Sequence, residues 1–305
     1  MSLRLSVLDQ SPVDEGMSRA AALRHSVELA QVTEALGYSR FWVAEHHHSA
    51  SFAGAAPEVL VATVLERTQH IRVGSGGVLL PRYTSAKVAE VFQTLGALHP
   101  GRVDLGGGRG GSSADQYAQQ VHDLHRFLQQ TTVPMQPELW VLGTGTSSSS
   151  LAGHIGTGFA FGHFLNPGPA AIALASYRES FRPAPPSPYP WAALAVRVIV
   201  GETEASALDS LEGLLLWRSS KDLDVDTPFP SWRTVRRHAW TPRENERRAA
   251  HLPRVVAGTA SQVRRDLQQL ASRRGIGEIV VNTPIFDQRT RLQSYELLAA
   301  AFHVH

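Results

Sequence analysis

The sequence contains no cysteine, so disulfide bonds, thiolate metal ligands and thiol nucleophiles are all excluded. It also has little net charge, because 29 Lys and Arg residues are balanced by 27 Asp and Glu residues, which leaves +2. The basic residues are scattered, so the charge pattern indicates neither a nucleic-acid partner nor a membrane surface. The chain has no apolar run of about 20 residues, as a membrane span requires, and no secretory leader pattern at its start. We therefore expect a cytoplasmic protein.

What the chain does contain is a regular alternation of strands and helices. Its 305 residues, 43% of them hydrophobic, are enough for one barrel-sized domain or two smaller ones. Short apolar runs bounded by glycine, proline or polar residues predict eight strands, at 3–8, 41–48, 72–80, 102–106, 138–142, 158–162, 191–200 and 277–281. Segments of helical spacing separate them. This pattern predicts an α/β fold, a (β/α)8 TIM-type barrel in a single domain over residues 1–305.

One segment does not follow this alternation. Residues 218–253 are polar and contain several prolines, so we predict an irregular insertion or lid before the last helix, strand and helix. In a barrel of this kind the C-terminal ends of all strands open at one mouth. The polar and glycine residues at those ends should converge there: Asp9, His46, Gly76, Arg109, Thr144 and His163.

Residues 41–48, FWVAEHHH, form an apolar run that ends in a glutamate and three histidines. His46 suits proton transfer because the unperturbed imidazole pKa of about 6.5 lets it give and take protons near neutrality. A strand-end histidine satisfied by backbone groups remains the alternative. A metal site built from Glu45 and the histidines is a further hypothesis. It is disfavoured because successive strand side chains diverge and the sequence has no second ligand cluster.

Two polar loops follow later strands. The run 106–111 matches G-x-G-x-x-G, but the acidic residue expected at the end of a second strand is missing, so the dinucleotide-fold signal is weak. Arg109 in this run is either a solvated arginine or a ligand-binding residue, and its glycine-rich surroundings at a barrel mouth favour binding. Thr144 and Gly145 precede a predicted helix over 148–155, and Ser148 begins it; hydroxyls and free amides at such a position bind a phosphate or form an ordinary N-cap. A G-x-S-x-G elbow is missing, which disfavours a serine hydrolase.

Together these segments resemble the bacterial luciferase-like flavin monooxygenases, in particular their short single-chain branch. The matching segments span nearly the whole chain: SVLDQSPV (6–13), GYSRFWVAEHH (37–47), RVGSGGVLLP (72–81), KVAEVF (87–92), PGRVDLGGGRG (100–110), ELWVLGTG (138–145) and SYELLA (294–299). The resemblance implies an enzyme that binds reduced FMN and O2. It would oxygenate a small organic substrate through a flavin C4a-(hydro)peroxide.

The resemblance also implies roles and partners. It places His46 at the reactive edge of the flavin, and it gives the other positions to cofactor binding: a cis peptide at Gly76 and Gly77, ring space beside Gly108, and phosphate contacts from Arg109, Thr144, Gly145 and Ser148. A separate flavin reductase would supply the reduced FMN. A homodimer would form through the helices after the second and third strands.

Departures from the family pattern keep other functions open. The segment 110–138 looks shorter than in relatives, and residues 147–150 form an unusual serine run. An F420-dependent oxidoreductase, a flavin-binding protein without catalysis and a metal-dependent barrel hydrolase are the alternatives. The substrate is not determined by the sequence, and an aldehyde, an aromatic polyketide or another secondary metabolite would fit.

Overall fold

The computed structural model describes residues 3–130, 135–183 and 188–302. Its strands are β1 (Arg4–Asp9), β2 (Arg40–Val43), β3 (Arg72–Leu79), β4 (Val103–Gly108), β5 (Glu138–Gly143), β6 (Gly158–Gly162), β7 (Ala192–Gly201), β8 (Val255–Thr259) and β9 (Glu278–Asn282). Its α-helices are α1 (Arg19–Ala35), α2 (Pro57–Arg67), α3 (Ser85–Leu98), α4 (Ala114–Gln129), α5 (Thr146–Ile155), α6 (Ala170–Ser180), α7 (Glu204–Asp222), α8 (Trp232–Arg237), α9 (Pro242–His251), α10 (Ala260–Arg274) and α11 (Gln288–Phe302).

Eight of these strands close into a parallel barrel. Strands β1 to β7 pair in sequence order, β7 pairs with β9, and β9 pairs with β1. The strands are apolar on both faces because one face packs against the helices and the other fills the barrel, and all four residues of β2 are buried. Leu8, Trp42, Trp140 and Val280 belong to the interior cluster. The predicted (β/α)8 barrel is therefore confirmed.

A charged network fills the barrel at the N-terminal ends of the strands. Arg40 donates to Asp104 at 2.9 Å and to Glu278 at 3.0 Å, and it also contacts Glu138. Arg72 reaches the second oxygen of Asp104 at 2.6 Å. Burial opposes ionisation of Asp104, but the two arginines hold its pKa below the ordinary value. This network stabilises the closed end of the barrel, opposite the candidate site.

The segment 218–253 differs from the prediction. It contains the end of α7 and the two helices α8 and α9, and β8 follows it directly. The helix α9, PRENERRAAH, is mostly polar and exposed, so it has no apolar stripe that helical spacing could reveal. Its capping box between Thr241 and Glu244 was the available sequence signal. The segment therefore precedes the last helix, strand and helix as predicted, but it is partly helical and not irregular, because helix formation here does not depend on a buried face.

The strand β8 was not predicted either. Its five residues pair with the second half of β7, from Arg197 to Gly201, after the first half of β7 has paired with β6 and β9. The strand therefore lies beside the barrel rather than within its ring. Four of its five residues are only half-buried, which explains why no continuous apolar run marked it.

Candidate functional site

A cavity of about 490 Å³ opens at the C-terminal ends of the strands. This volume lies in the range that small-molecule and cofactor sites occupy. The sequence-predicted site residues all line it: His46, Gly76, Gly77, Gly108, Arg109, Thr144, Gly145 and Ser148. Its floor is apolar and includes Leu8, Trp42, Leu142, Ala195 and Val280. The barrel topology thus brings the predicted residues, which are up to 102 positions apart, into one concave site.

Two other strand-end residues that were expected at the mouth do not line this cavity. Asp9 is buried and accepts a hydrogen bond from Arg291 at 2.5 Å, so its carboxylate holds α11 against β1. His163 is also buried, and burial lowers its pKa. Both residues therefore belong to the packing around the site.

The end of β3 offers bare backbone to the cavity. The Gly76–Gly77 peptide is cis, as the resemblance implied. A Cβ added at Gly77 would lie 2.5 Å from the carbonyl oxygen of Gly106, so glycine is required where β3 and β4 approach. At Gly108 an added Cβ would meet no atom closer than 3.6 Å, which leaves open space at the end of β4. A planar ring could lie against this surface.

Two groups suited to an anion lie on neighbouring strands. Arg109 follows β4, is exposed, and its guanidinium makes no hydrogen bond or ion pair with any residue that the structure describes. The helix α5 begins after β5 with Gly145 as its N-cap, which supplies no capping side chain. Its first amides, at Thr146, Ser147 and Ser148, therefore remain available, and helix N-termini favour negative charge.

The start of this helix differs slightly from the prediction. The serine run was expected to cap a helix from Ser148, whereas α5 begins at Thr146. Ser147 and Ser148 consequently lie in the first turn, and both line the cavity. An added Cβ at Gly143 would lie 2.4 Å from the Cβ of Ser148, so the glycine at the end of β5 allows the first turn to sit close to the strand.

His46 is held by two residues that sequence reasoning missed. Its Nε2 lies 3.0 Å from the side-chain nitrogen of Gln10, and its ring stacks on Phe52 with centroids 4.3 Å apart. Burial, with the charge of Lys221 nearby, lowers the pKa of His46 to about 4. The imidazole is therefore neutral at neutral pH, and its Nε2 accepts a hydrogen bond from the side-chain amide of Gln10. The position of Gln10 just after β1 was the only sequence signal.

Glu45 has structural partners of its own. Its carboxylate accepts hydrogen bonds from the Leu79 amide at 2.8 Å and the Tyr83 hydroxyl at 2.9 Å, and it also contacts His47. These bonds tie β2 to the end of β3 beside the cavity. The strand β2 ends at Val43, so the predicted strand over 41–48 is too long, and His46 and His47 lie in the loop after it with different partners.

Comparisons with known proteins are consistent with this geometry. The family model described as Luciferase-like monooxygenase matches residues 3–132 and 116–278. The Bacillus subtilis (strain 168) protein YceB is 38% identical over 329 residues, which cover 98% of this chain and 99% of YceB. The chain belongs to the luciferase-like monooxygenase family. It is also 33% identical to the N-acetyl-S-alkylcysteine monooxygenase of the same organism, over 98% of each chain.

Several solved structures are similar to this chain over nearly its full length. The crystal structure of apo-MsnO8 has a TM-score of 0.88 at 38% identity and covers 100% of this chain and 98% of that chain. Two others share the fold at 16% identity. They are the oxygenating constituent of 3,6-diketocamphane monooxygenase from Pseudomonas putida in complex with FMN, with a TM-score of 0.70 and coverage of 98% and 97%, and an F420-dependent secondary alcohol dehydrogenase, with a TM-score of 0.72 and full coverage of both chains.

Two further findings concern this luciferase-like monooxygenase as a whole. The comparison with YceB runs over more residues than the 305 of this chain, so YceB carries residues that have no counterpart here. Among the described residues, no helix is both long and apolar enough to cross a membrane.

Proposed function

We propose that this chain is a monooxygenase that uses reduced FMN and O2 to oxygenate a small organic substrate. The observation that carries the proposal is the placement of the anion-binding groups, Arg109 and the first turn of α5, beside the open glycine surface of β3 and β4. FMN combines a flat ring and a phosphate dianion, and this cavity has a region suited to each. When bound, reduced FMN supplies dioxygen activation at its C4a atom.

The phosphate would bind between β4 and β5. Arg109 offers two parallel N–H donors, and the amides of α5 with the hydroxyls of Thr144 and Ser148 offer further donors. The absence of a capping side chain at Gly145 supports this assignment, because those amides need an acceptor. The flavin ring would lie against the backbone of β3 and β4, because the glycines there, including Gly108, carry no side chain.

His46 would act at the reactive edge of the ring. Its low pKa keeps the imidazole neutral, and because Nε2 accepts a hydrogen bond from Gln10, the ring proton lies on Nδ1 and can be donated. Gln10 and Phe52 fix the ring orientation, which positions a proton donor at a defined point of the cavity wall. The apolar floor and the close-packed barrel below it exclude water from the reacting atoms.

The proposal extends to two partners. A separate reductase would deliver reduced FMN, as the family resemblance implies. A second copy of the chain would pack against α2 and α3, and exposed apolar side chains on these helices, Val59 at 62% and Leu98 at 68% of full exposure, support this surface. Light scattering of the purified chain tests it: a monomeric mass at micromolar concentration would remove the dimer from the proposal.

The test of the central proposal is a titration with FMN followed by an oxygen assay. We expect saturable binding of FMN, and oxygen uptake coupled to product formation when a flavin reductase regenerates reduced FMN. Binding without coupled product formation would favour a flavin-binding protein that lacks catalysis. Saturable binding of F420 together with no FMN binding would favour the F420-dependent alternative, whose fold is shared by the alcohol dehydrogenase described above.

A further inference from the structure

Arg197 is a buried arginine that pairs with no carboxylate among the residues that the structure describes. The residue, on β7, is 4% exposed, and its Nε is buried without an acceptor. No hydrogen bond or ion pair among residues 3–130, 135–183 and 188–302 involves its guanidinium. Arg40 and Arg291 are similarly buried, yet each pairs with a buried aspartate, at 2.9 Å and 2.5 Å. An unpaired buried charge destabilises a fold, so the isolation of Arg197 requires another explanation.

The position of Arg197 connects it to the cavity. It lies two residues beyond Ala195 on β7, so both side chains belong to the same face of the strand. Ala195 and Phe164 line the cavity, and the Arg197 guanidinium lies 5.2 Å from the centroid of the Phe164 ring. The Trp217 ring flanks it at 5.8 Å. Arg197 therefore lies behind Ala195 and Phe164 at the cavity wall on the β7 side, three strands around the barrel from β4 and two from β5, where the phosphate groups are proposed.

The charges around Arg197 leave a positive excess. Burial, followed by the charges of Arg218 and Arg254, lowers the pKa of Arg197 to about 9, and Asp222 is the acidic group that opposes them. Asp222 is already engaged, because it pairs with Arg218 and lies 2.5 Å from His251. An anion that entered from the cavity would therefore meet cationic groups whose charge is not balanced.

We propose that Arg197 binds a carboxylate of the substrate, so that the chain takes small organic acids. This inference rests on the proposed function. A guanidinium matches a planar carboxylate through two parallel hydrogen bonds, and the aromatic faces of Phe164 and Trp217 hold the guanidinium in place for that contact. Anchoring the acid group at β7 would orient the remainder of the substrate toward the cavity that Arg197 adjoins.

The first experiment uses stability, because it does not depend on which acid is the substrate. In chloride buffer we expect Arg197→Met to raise the Tm by roughly 2 °C or more, since methionine removes an unpaired buried charge at similar length. The matched control is Arg4→Met, because Arg4 also lies over a tryptophan, Trp191 at 4.5 Å, but at the other end of the barrel. We expect no such rise there. A fall in Tm for Arg197→Met would show that Arg197 is satisfied structurally and would overturn the proposal.

The second experiment measures the anion directly by thermal shift with hexanoate, hexanamide and inorganic phosphate at equal ionic strength. Hexanoate should raise the Tm of the wild-type chain more than hexanamide does, and Arg197→Met should abolish the difference. An equal shift with both compounds overturns the proposal, as does an Arg197-dependent shift with phosphate that matches or exceeds the shift with hexanoate. FMN titration of the wild-type chain decides the proposed function separately. Normal FMN binding without a hexanoate effect would reject only the carboxylate site.

Discussion

The charged network inside the barrel allows a test of how burial changes the contribution of an ion pair to the free energy of unfolding. The pair Arg40–Asp104 and the surface pair Arg126–Asp123 have nearly equal lengths, 2.9 Å and 2.8 Å. The side chains of the first are 6% and 0% exposed, whereas those of the second are 61% and 33% exposed. Removing one partner of a buried pair costs about 3–5 kcal/mol because the other charge stays desolvated. An exposed pair contributes about 0–1 kcal/mol.

We therefore expect Arg40→Met to lower the free energy of unfolding by about 3–5 kcal/mol and Arg126→Met to lower it by less than about 1 kcal/mol. Urea unfolding followed by tryptophan fluorescence measures both. A second substitution that removes the stranded charge, Glu278→Gln, should cost less in the Arg40→Met background than in the wild type, because Arg40 pairs with Glu278 at 3.0 Å. Equal losses for the two arginine variants, or strictly additive losses in the double variant, would refute this account of the network.

The pH dependence of the same variant gives an independent check. The pKa of Asp104 is lowered in the folded chain, so its ionised form contributes stability above its unfolded pKa of about 3.9, and this contribution is lost as the pH falls through the folded pKa. The difference between wild type and Arg40→Met should therefore shrink below about pH 4. A difference that stays constant down to the acid transition would argue against a role for the Asp104 charge.

The remaining predictions concern the candidate site. Arg109→Ala should weaken FMN binding roughly 10- to 100-fold because charge-assisted hydrogen bonds to the phosphate are lost, which a fluorescence titration measures; unchanged affinity would remove Arg109 from the phosphate site. Because the pKa of His46 is lowered to about 4, its imidazole should stay neutral and contribute no step to the oxygenation rate between about pH 6 and pH 9; a step that His46→Gln abolishes would contradict this assignment. Gly143→Ala should place a Cβ 2.4 Å from that of Ser148 and shift the first turn of α5. The free energy of FMN binding should then fall by more than the free energy of unfolding. An FMN affinity equal to that of the wild type would show that this turn does not bind the phosphate.

The sequence was sufficient for the barrel because each strand is buried on both faces. That burial produces continuous apolar runs, such as β2, and the number of runs determines the architecture. It was also sufficient to place the candidate site, because the C-terminal ends of parallel strands must share one mouth. His46, Arg109 and Thr144 could therefore be assigned to the same cavity before any distance was known.

Helices and strands that lack a continuous buried face could not be predicted from the sequence. The helix α9 is exposed and β8 is half-buried, so neither leaves the hydrophobic period by which elements are recognised. The capping box at Thr241 is a local signal, but it predicts only where a helix begins. The packing of segment 218–253 is set by contacts of α8 and α9 with α7, and these contacts cannot be read from the sequence.

What the sequence by itself determined is the fold class, the family and the identity of the residues at the mouth, because each depends on local pattern and strand order. Only the tertiary structure decided the protonation and partners of those residues. The pKa of His46 depends on burial and on Lys221, which is 175 positions away. The isolation of Arg197 arises because Asp222, the acidic group nearby, is paired with Arg218 and His251 instead. Such properties arise from distances through space, which a linear sequence does not record.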